Sequence, residues 1–98
     1  MKLRILSAAA QDLTKSIDYY ESQSDGLGYD FLDEYEKTIS RICRFPEAWL
    51  LVTSHLRRCL MRRFPYAIFY TVMEDEIVIT AVADLRMDPD NIREVILR

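Results

Sequence analysis

Charged and apolar residues alternate from Lys2 to Leu6, with Lys2 and Arg4 set against Leu3 and Ile5. A period of two over five residues predicts a short strand at the edge of a sheet. The period then changes. Ala9, Leu13, Ile17 and Tyr20 recur at spacings of four, four and three, which is one face of an amphipathic helix. Ser7 stands before this stripe, and its hydroxyl suits an N-cap that accepts a bond from an orphan amide. The helix is expected to end near Ser22 to Ser24. Gly26 and Gly28, the only glycines, punctuate the gap that follows. A second helix is expected from about Tyr29, where Leu32, Tyr35, Ile39 and Ile42 repeat at three, four and three, widened by Phe31 and Cys43. Phe45-Pro46 ends it, because the residue before a proline avoids helical dihedrals.

The second half has a different pattern. Trp49 to Val52 reads as a short extended piece, and His55 to Phe64 as a candidate strand. Tyr66 to Met73 is rich in aromatic and β-branched residues and predicts a central strand covered on both faces. A polar connection, Glu74-Asp75-Glu76, leads into a second buried strand from Ile77 to Ala83, which makes a hairpin. Beyond Pro89, the tail from Asn91 to Arg98 fits either one or two helical turns or extended chain. The expected fold is α+β: an N-terminal strand, a two-helix antiparallel hairpin, then a three-stranded antiparallel meander with the helices packed on one face.

Composition narrows the class. The chain has 98 residues, 50% of them hydrophobic and 30% charged, which predicts one small globular domain over residues 1–98 and not a disordered chain. No stretch approaches the ~18–20 apolar residues of a membrane span, and the start does not resemble a secretory signal, so a cytoplasmic protein is expected. Cys43 and Cys59 with the single His55 fall short of a four-ligand metal site. Two free thiols are favoured over a disulfide. No metal and no cofactor are expected.

The net charge of −3 is unevenly distributed. Residues 1–49 carry six Lys/Arg against nine Asp/Glu, whereas residues 50–98 carry seven of each. Arg57, Arg58, Arg62 and Arg63 fall within seven residues that hold no acid. An acidic chain is a poor generic nucleic-acid binder, but a local basic run suits a specific anionic or acidic partner. On one continuous strand, Arg57 and Arg63 would point to one side and Arg58 and Arg62 to the other. They form either an anion-recognising face or an edge kept soluble by charge. Asp84, Asp88 and Asp90 gather around Arg86 after the last strand, as a candidate acid–base group or as the polar residues a turn requires. Tyr66, Phe69 and Tyr70 read as core, with the Tyr70 hydroxyl a further candidate contact. No Ser-His-Asp or Cys-His set is present to supply catalysis.

The run Phe64-Pro65-Tyr66-Ala67-Ile68-Phe69-Tyr70 and the run from Ile77 to Arg86, taken with the order of elements, resemble the RelE/ParE toxin superfamily of type II toxin–antitoxin modules. In the first half Ala8, Ala9, Asp12-Leu13 and Tyr19-Tyr20 agree, and the resemblance covers nearly the whole chain. The RelE type cuts messenger RNA on the ribosome. The arginine frequent beside Tyr66 in that type is here Ala67, its late tyrosine is Ile92, and its histidine after the last strand is Asp84, whose charge would repel a phosphate. Arg58, Arg62 and Arg86 remain.

The chain is therefore more similar to the ParE branch. That resemblance implies a non-enzymatic toxin that inhibits DNA gyrase and a role in plasmid stabilisation. It also implies neutralisation by a cognate antitoxin in a toxin–antitoxin hetero-oligomer, with no direct sequence-specific nucleic-acid binding. The contact residues it implies are Arg57, Arg58, Arg62, Arg63, Arg86 and Tyr70. The alternatives are a RelE-like ribonuclease, or a non-toxic relic that still binds antitoxin.

Overall fold

In a computed structural model, which describes residues 1–98, the elements run β1 (Lys2–Ile5), α1 (Ser7–Gln23), α2 (Leu27–Arg44), β2 (Leu50–Leu51), β3 (Leu56–Leu60), β4 (Tyr66–Met73), β5 (Glu76–Asp84) and α3 (Pro89–Leu97). The α+β order expected from the sequence is present, and the meander is part of a larger sheet. Five strands lie in the order β1-β5-β4-β3-β2. β1 pairs parallel to β5, Leu3 opposite Ile77 and Ile5 opposite Ile79, and the other pairs are antiparallel. The crossover through the two helices permits that parallel pair. No helix is long and apolar enough to cross a membrane.

The helical stripes meet one sheet face. Ala9 and Tyr20 of α1, with Phe31 and Ile42 of α2, are buried against Ile68, Tyr70, Ile77 and Ile79. The opposite face is covered by α3, whose Val95 and Ile96 pack on Leu56, Ala67, Phe69, Ala81 and Ala83. β4 is thus buried on both sides, as its composition implied. Between Phe69 and Tyr70 the register shifts, with Phe69 opposite Ala81 and Tyr70 opposite Ile79. This leaves Thr80 as the extra residue of a bulge, its hydroxyl donating to the Phe69 carbonyl at 3.3 Å. The bulge changes the parity of β5, so that Ile77, Ile79 and Val82 all reach the helical side.

Several local expectations are corrected. Ser7 is the first residue of α1, not its cap. Leu6 holds the cap position in extended geometry, and no side chain bonds the free amides there. α2 begins at Leu27, two residues before Tyr29, so Gly28 lies inside its first turn. Gly26 has φ +87°, a left-handed turn open to glycine. Glu21 then closes the helix start from α1: its carboxylate accepts from the Gly26 amide at 2.9 Å and the Gly28 amide at 3.0 Å. An anion at a helix N-terminus satisfies orphan donors and opposes the dipole. A Cβ on Gly28 would lie 2.8 Å from the Ile17 carbonyl oxygen, so this glycine sets how closely the two helices approach. The β4–β5 turn is the two residues Glu74 and Asp75, since Met73 already pairs with Glu76. β3 stops at Leu60. Arg62 and Arg63 belong to the turn that follows, with Arg63 left-handed at φ +68°, so the four arginines do not alternate along one strand. The tail takes the helical alternative, with the Asp88 carboxylate accepting from the Asp90 amide as its N-cap.

Candidate functional site

The six residues expected to make contacts are dispersed, and most are engaged inside the chain. Arg57 and Arg58 are consecutive on β3, so their side chains leave opposite faces. Arg57 turns to the helical side and donates to the Glu47 and Trp49 carbonyls at 3.0 and 2.7 Å. Arg63 pairs with Asp30 at 3.5 Å and lies over the Phe64 ring. Tyr70 is fully buried, and its hydroxyl donates to the Pro46 carbonyl at 2.6 Å, so it is a core clamp and not a surface contact. Burial pushes that phenol up to about 12.

Arg86 forms a second internal group. Its guanidinium meets Asp84 through two bonds of 3.0 Å, and Nη2 also donates to the Tyr20 hydroxyl at 3.1 Å. The Arg86 amide adds a bond to the same carboxylate at 2.9 Å. Burial raises the Asp84 carboxyl, but the Arg86 hydrogen bonds outweigh it and hold the group below the ordinary carboxylate range. The hydrogen bonds that Arg86 donates to Asp84 drive its guanidinium further up, and it stays charged throughout. Burial, then the neighbouring Tyr66, push Tyr20 up to about 12.

Because the folded pKa of Asp84 is depressed, its contribution to stability is fully present above the unfolded value, near ~3.9. It is lost as pH falls through the lower folded value. Urea unfolding should show Asp84→Asn less stable than the parent by about 1 kcal/mol at neutral pH, held down by the half-exposed Arg86. That gap should close in acid, and a gap independent of pH would assign the loss to packing.

The other expected groups separate in the same way. Asp84 serves Arg86, Asp88 caps α3 and Asp90 pairs with Arg93, so the three carboxylates form no common acid–base group. No three His, Cys, Asp or Glu side chains approach closely enough to hold a metal ion. His55 is exposed beside Ser54. Both cysteines are free: Cys43 lies on the surface, and Cys59 is in the core, where burial raises its thiol. A cleft of about 580 Å³ between α1, the end of β5 and α3 is lined by Asp12, Lys15, Tyr19, Tyr66, Asp84 and Arg86. Of its two cations, Arg86 is already neutralised by Asp84, and Lys15 enters no ion pair. Ala67 and Ile92 offer no acid, base or charge at the two positions they hold.

Two of the expected arginines remain available. Arg58 and Arg62 enter no ion pair, and the Arg58 Nε is sealed from solvent with no acceptor. Leu50 lies opposite Arg58, and Leu60 follows two residues later on the same face. With Leu51 these leucines are about half exposed. Sequence reasoning did not single them out, because an apolar run such as Trp49 to Val52 carries no local sign of whether tertiary neighbours cover it.

The family whose sequence model matches the chain is described as ParE toxin of type II toxin–antitoxin system, parDE, and the match spans residues 3–89. A solved chromosomal ParDE toxin–antitoxin system from P. aeruginosa shares the fold at a TM-score of 0.65 and 18% identity. That likeness covers 87% of this chain and 96% of the other. No curated protein matches the chain.

Proposed function

The chain belongs to the ParE toxin family of type II toxin–antitoxin systems, and from that membership we propose that it inhibits DNA gyrase by binding and is neutralised by a cognate antitoxin. The observation that carries binding over RNA cleavage is the Asp84–Arg86–Tyr20 group. A ribonuclease would aim the last-strand arginine at a phosphate in flight, whereas Arg86 is held by two bonds to Asp84. Displacing that carboxylate would cost the ion pair and leave Asp84 facing the same anion. Tyr20, pushed up to about 12, lies far from the pKa of a useful acid or base at neutral pH. The toxin–antitoxin character of the P. aeruginosa system supports the antitoxin part of the proposal.

The test is a supercoiling assay with purified gyrase and purified protein, run beside primer extension on translated messenger RNA. The expected result is loss of supercoiling with excess protein and no cleavage in the ribosomal A site. Intact supercoiling at high excess overturns the gyrase proposal, and A-site cleavage would establish the RelE-like alternative.

A further inference from the structure

The turn between β3 and β4 is built as a fixed tip. Met61 and Phe64 are buried, and between them Arg62 and Arg63 are exposed. Beneath the tip the Met61 amide donates to the Tyr66 carbonyl at 2.9 Å, and the Tyr66 amide to the Phe64 carbonyl at 2.8 Å. The two legs are also held from outside. Arg41 of α2 donates to the Leu60 carbonyl at 3.1 Å, and the Leu85 amide donates to the Pro65 carbonyl at 2.8 Å. Arg63 has φ +68°, where a side chain crowds the backbone and glycine would turn the chain without that cost. The arginine at this position ties the tip to α2 through Asp30 at 3.5 Å and lies over the Phe64 ring at 5.6 Å. Arg62 is left as the tip side chain that enters no ion pair. The half-exposed Leu60 stands two residues before it.

We propose that Arg62 is the anchor through which the chain grips its target, its guanidinium received by a carboxylate on the protein surface of gyrase, with Leu60 packed at the rim of that contact. A guanidinium fork meets a carboxylate through two parallel bonds. An arginine carried on a fixed frame loses less freedom on binding than one on a mobile loop. Arginines anchored in this way carry a disproportionate share of the binding energy between proteins. A phosphate backbone is the poorer partner. Affinity for DNA accumulates over many cationic contacts, whereas this tip offers one unpaired cation near Asp30, on a chain of net charge −3. The inference rests on the gyrase reading for the identity of the target only. The fixed arginine stands on the turn itself.

The test immobilises the purified gyrase subunits without DNA and measures binding of the full chain at low and high salt, beside the supercoiling assay. The parent is expected to bind, more weakly as salt rises. Arg62→Glu should weaken binding and raise the concentration for half-inhibition at least about tenfold, with Tm within ~2 °C of the parent. Arg62→Lys keeps the charge but not the fork and should fall between the two. Arg44→Glu makes the same change of charge at the exposed end of α2 and should stay within about twofold of the parent. Arg63→Gly keeps the turn and releases the tip. Nitrogen-15 relaxation should then show the Arg62 amide loosened, and binding weakened by about threefold.

An equal loss from Arg44→Glu assigns the effect to overall charge and overturns the proposal. So does binding that requires DNA, or duplex DNA alone held by the parent and released by Arg62→Glu. Unweakened binding with a loosened tip overturns the fixed frame. A parent that neither binds nor inhibits removes the gyrase reading itself. A parent that inhibits while Arg62→Glu binds and inhibits equally well removes only the anchor.

Discussion

Replacing Phe31 by alanine is expected to cost about 3–5 kcal/mol. Phe31 is fully buried on α2 at the centre of an aromatic group. Its ring stacks on Tyr20 with centroids 5.3 Å apart, and it meets Phe64 at 5.1 Å and Tyr66 at 4.8 Å edge to face. These rings join both helices to the turn before β4 and to β4 itself. Truncation removes the transfer free energy of the ring and leaves a cavity that neighbours fixed on three elements cannot close. Small domains are stable by only about 5–15 kcal/mol, so this one change takes a large share. In a domain of this size Tm should fall by about 15 °C or more. Phe31→Leu, which refills most of the space, should lie between the variant and the parent. A calorimetric Tm for Phe31→Ala within ~2 °C of the parent would mean that the aromatic group is not the centre of the fold.

The second large effect is expected at Asp12, at about 2–3 kcal/mol for Asp12→Ala. β1 ends at Ile5 opposite Ile79, so further along β5 there is no neighbouring strand on that side. The Asp12 carboxylate on α1 takes the place of the missing strand and accepts from the Val82 amide at 3.0 Å. The same oxygen is paired with Arg98, beyond the last turn of α3. One side chain thus joins α1, β5 and α3. Alanine strands a half-buried N–H and an arginine together, and an unsatisfied donor costs more than the lost bond contributed. α3 has no fully buried residue of its own, so its docking depends on this tie and on the half-buried Val95 and Ile96. Native-state amide exchange should show α3 losing protection first. Unchanged exchange in α3, with a stability loss below ~0.5 kcal/mol, would show that the tie is dispensable.

The fold was largely legible because its signals are local. The stripe of Leu32, Tyr35, Ile39 and Ile42 and the apolar run from Tyr66 to Met73 each repeat within a few residues, and the period alone decides between helix and strand. The boundary errors have long-range causes. The local pattern starts α2 at Tyr29 because the carboxylate that closes the true start, Glu21, comes from the preceding helix. Ser7 has the right side chain for a cap, but the chain arrives from β1 with Leu6 already in the extended cap geometry. The bulge at Thr80 has no local marker, because it follows from matching β4 to β5.

The candidate site was less legible, for the same reason. Arginine is charged wherever it stands, so the sequence could place Arg57, Arg58, Arg62, Arg63 and Arg86 but not say which remain free. That depends on acceptors from other parts of the chain: the Glu47 and Trp49 carbonyls for Arg57, Asp30 for Arg63, and Tyr20 with Asp84 for Arg86. Tyr70 passed from candidate contact to buried clamp through Pro46, which lies 24 residues earlier.

By itself, then, the sequence determined the order of elements, the two-sided burial of the central strand and the likeness to the toxin family, since these rest on periodicity and residue type. Only the tertiary structure decided that Arg86 is neutralised, that Arg58 and Arg62 enter no ion pair, and that Leu50, Leu51 and Leu60 stay half exposed. Pairing and exposure are properties of neighbours, and the neighbours of those side chains are assembled by the fold.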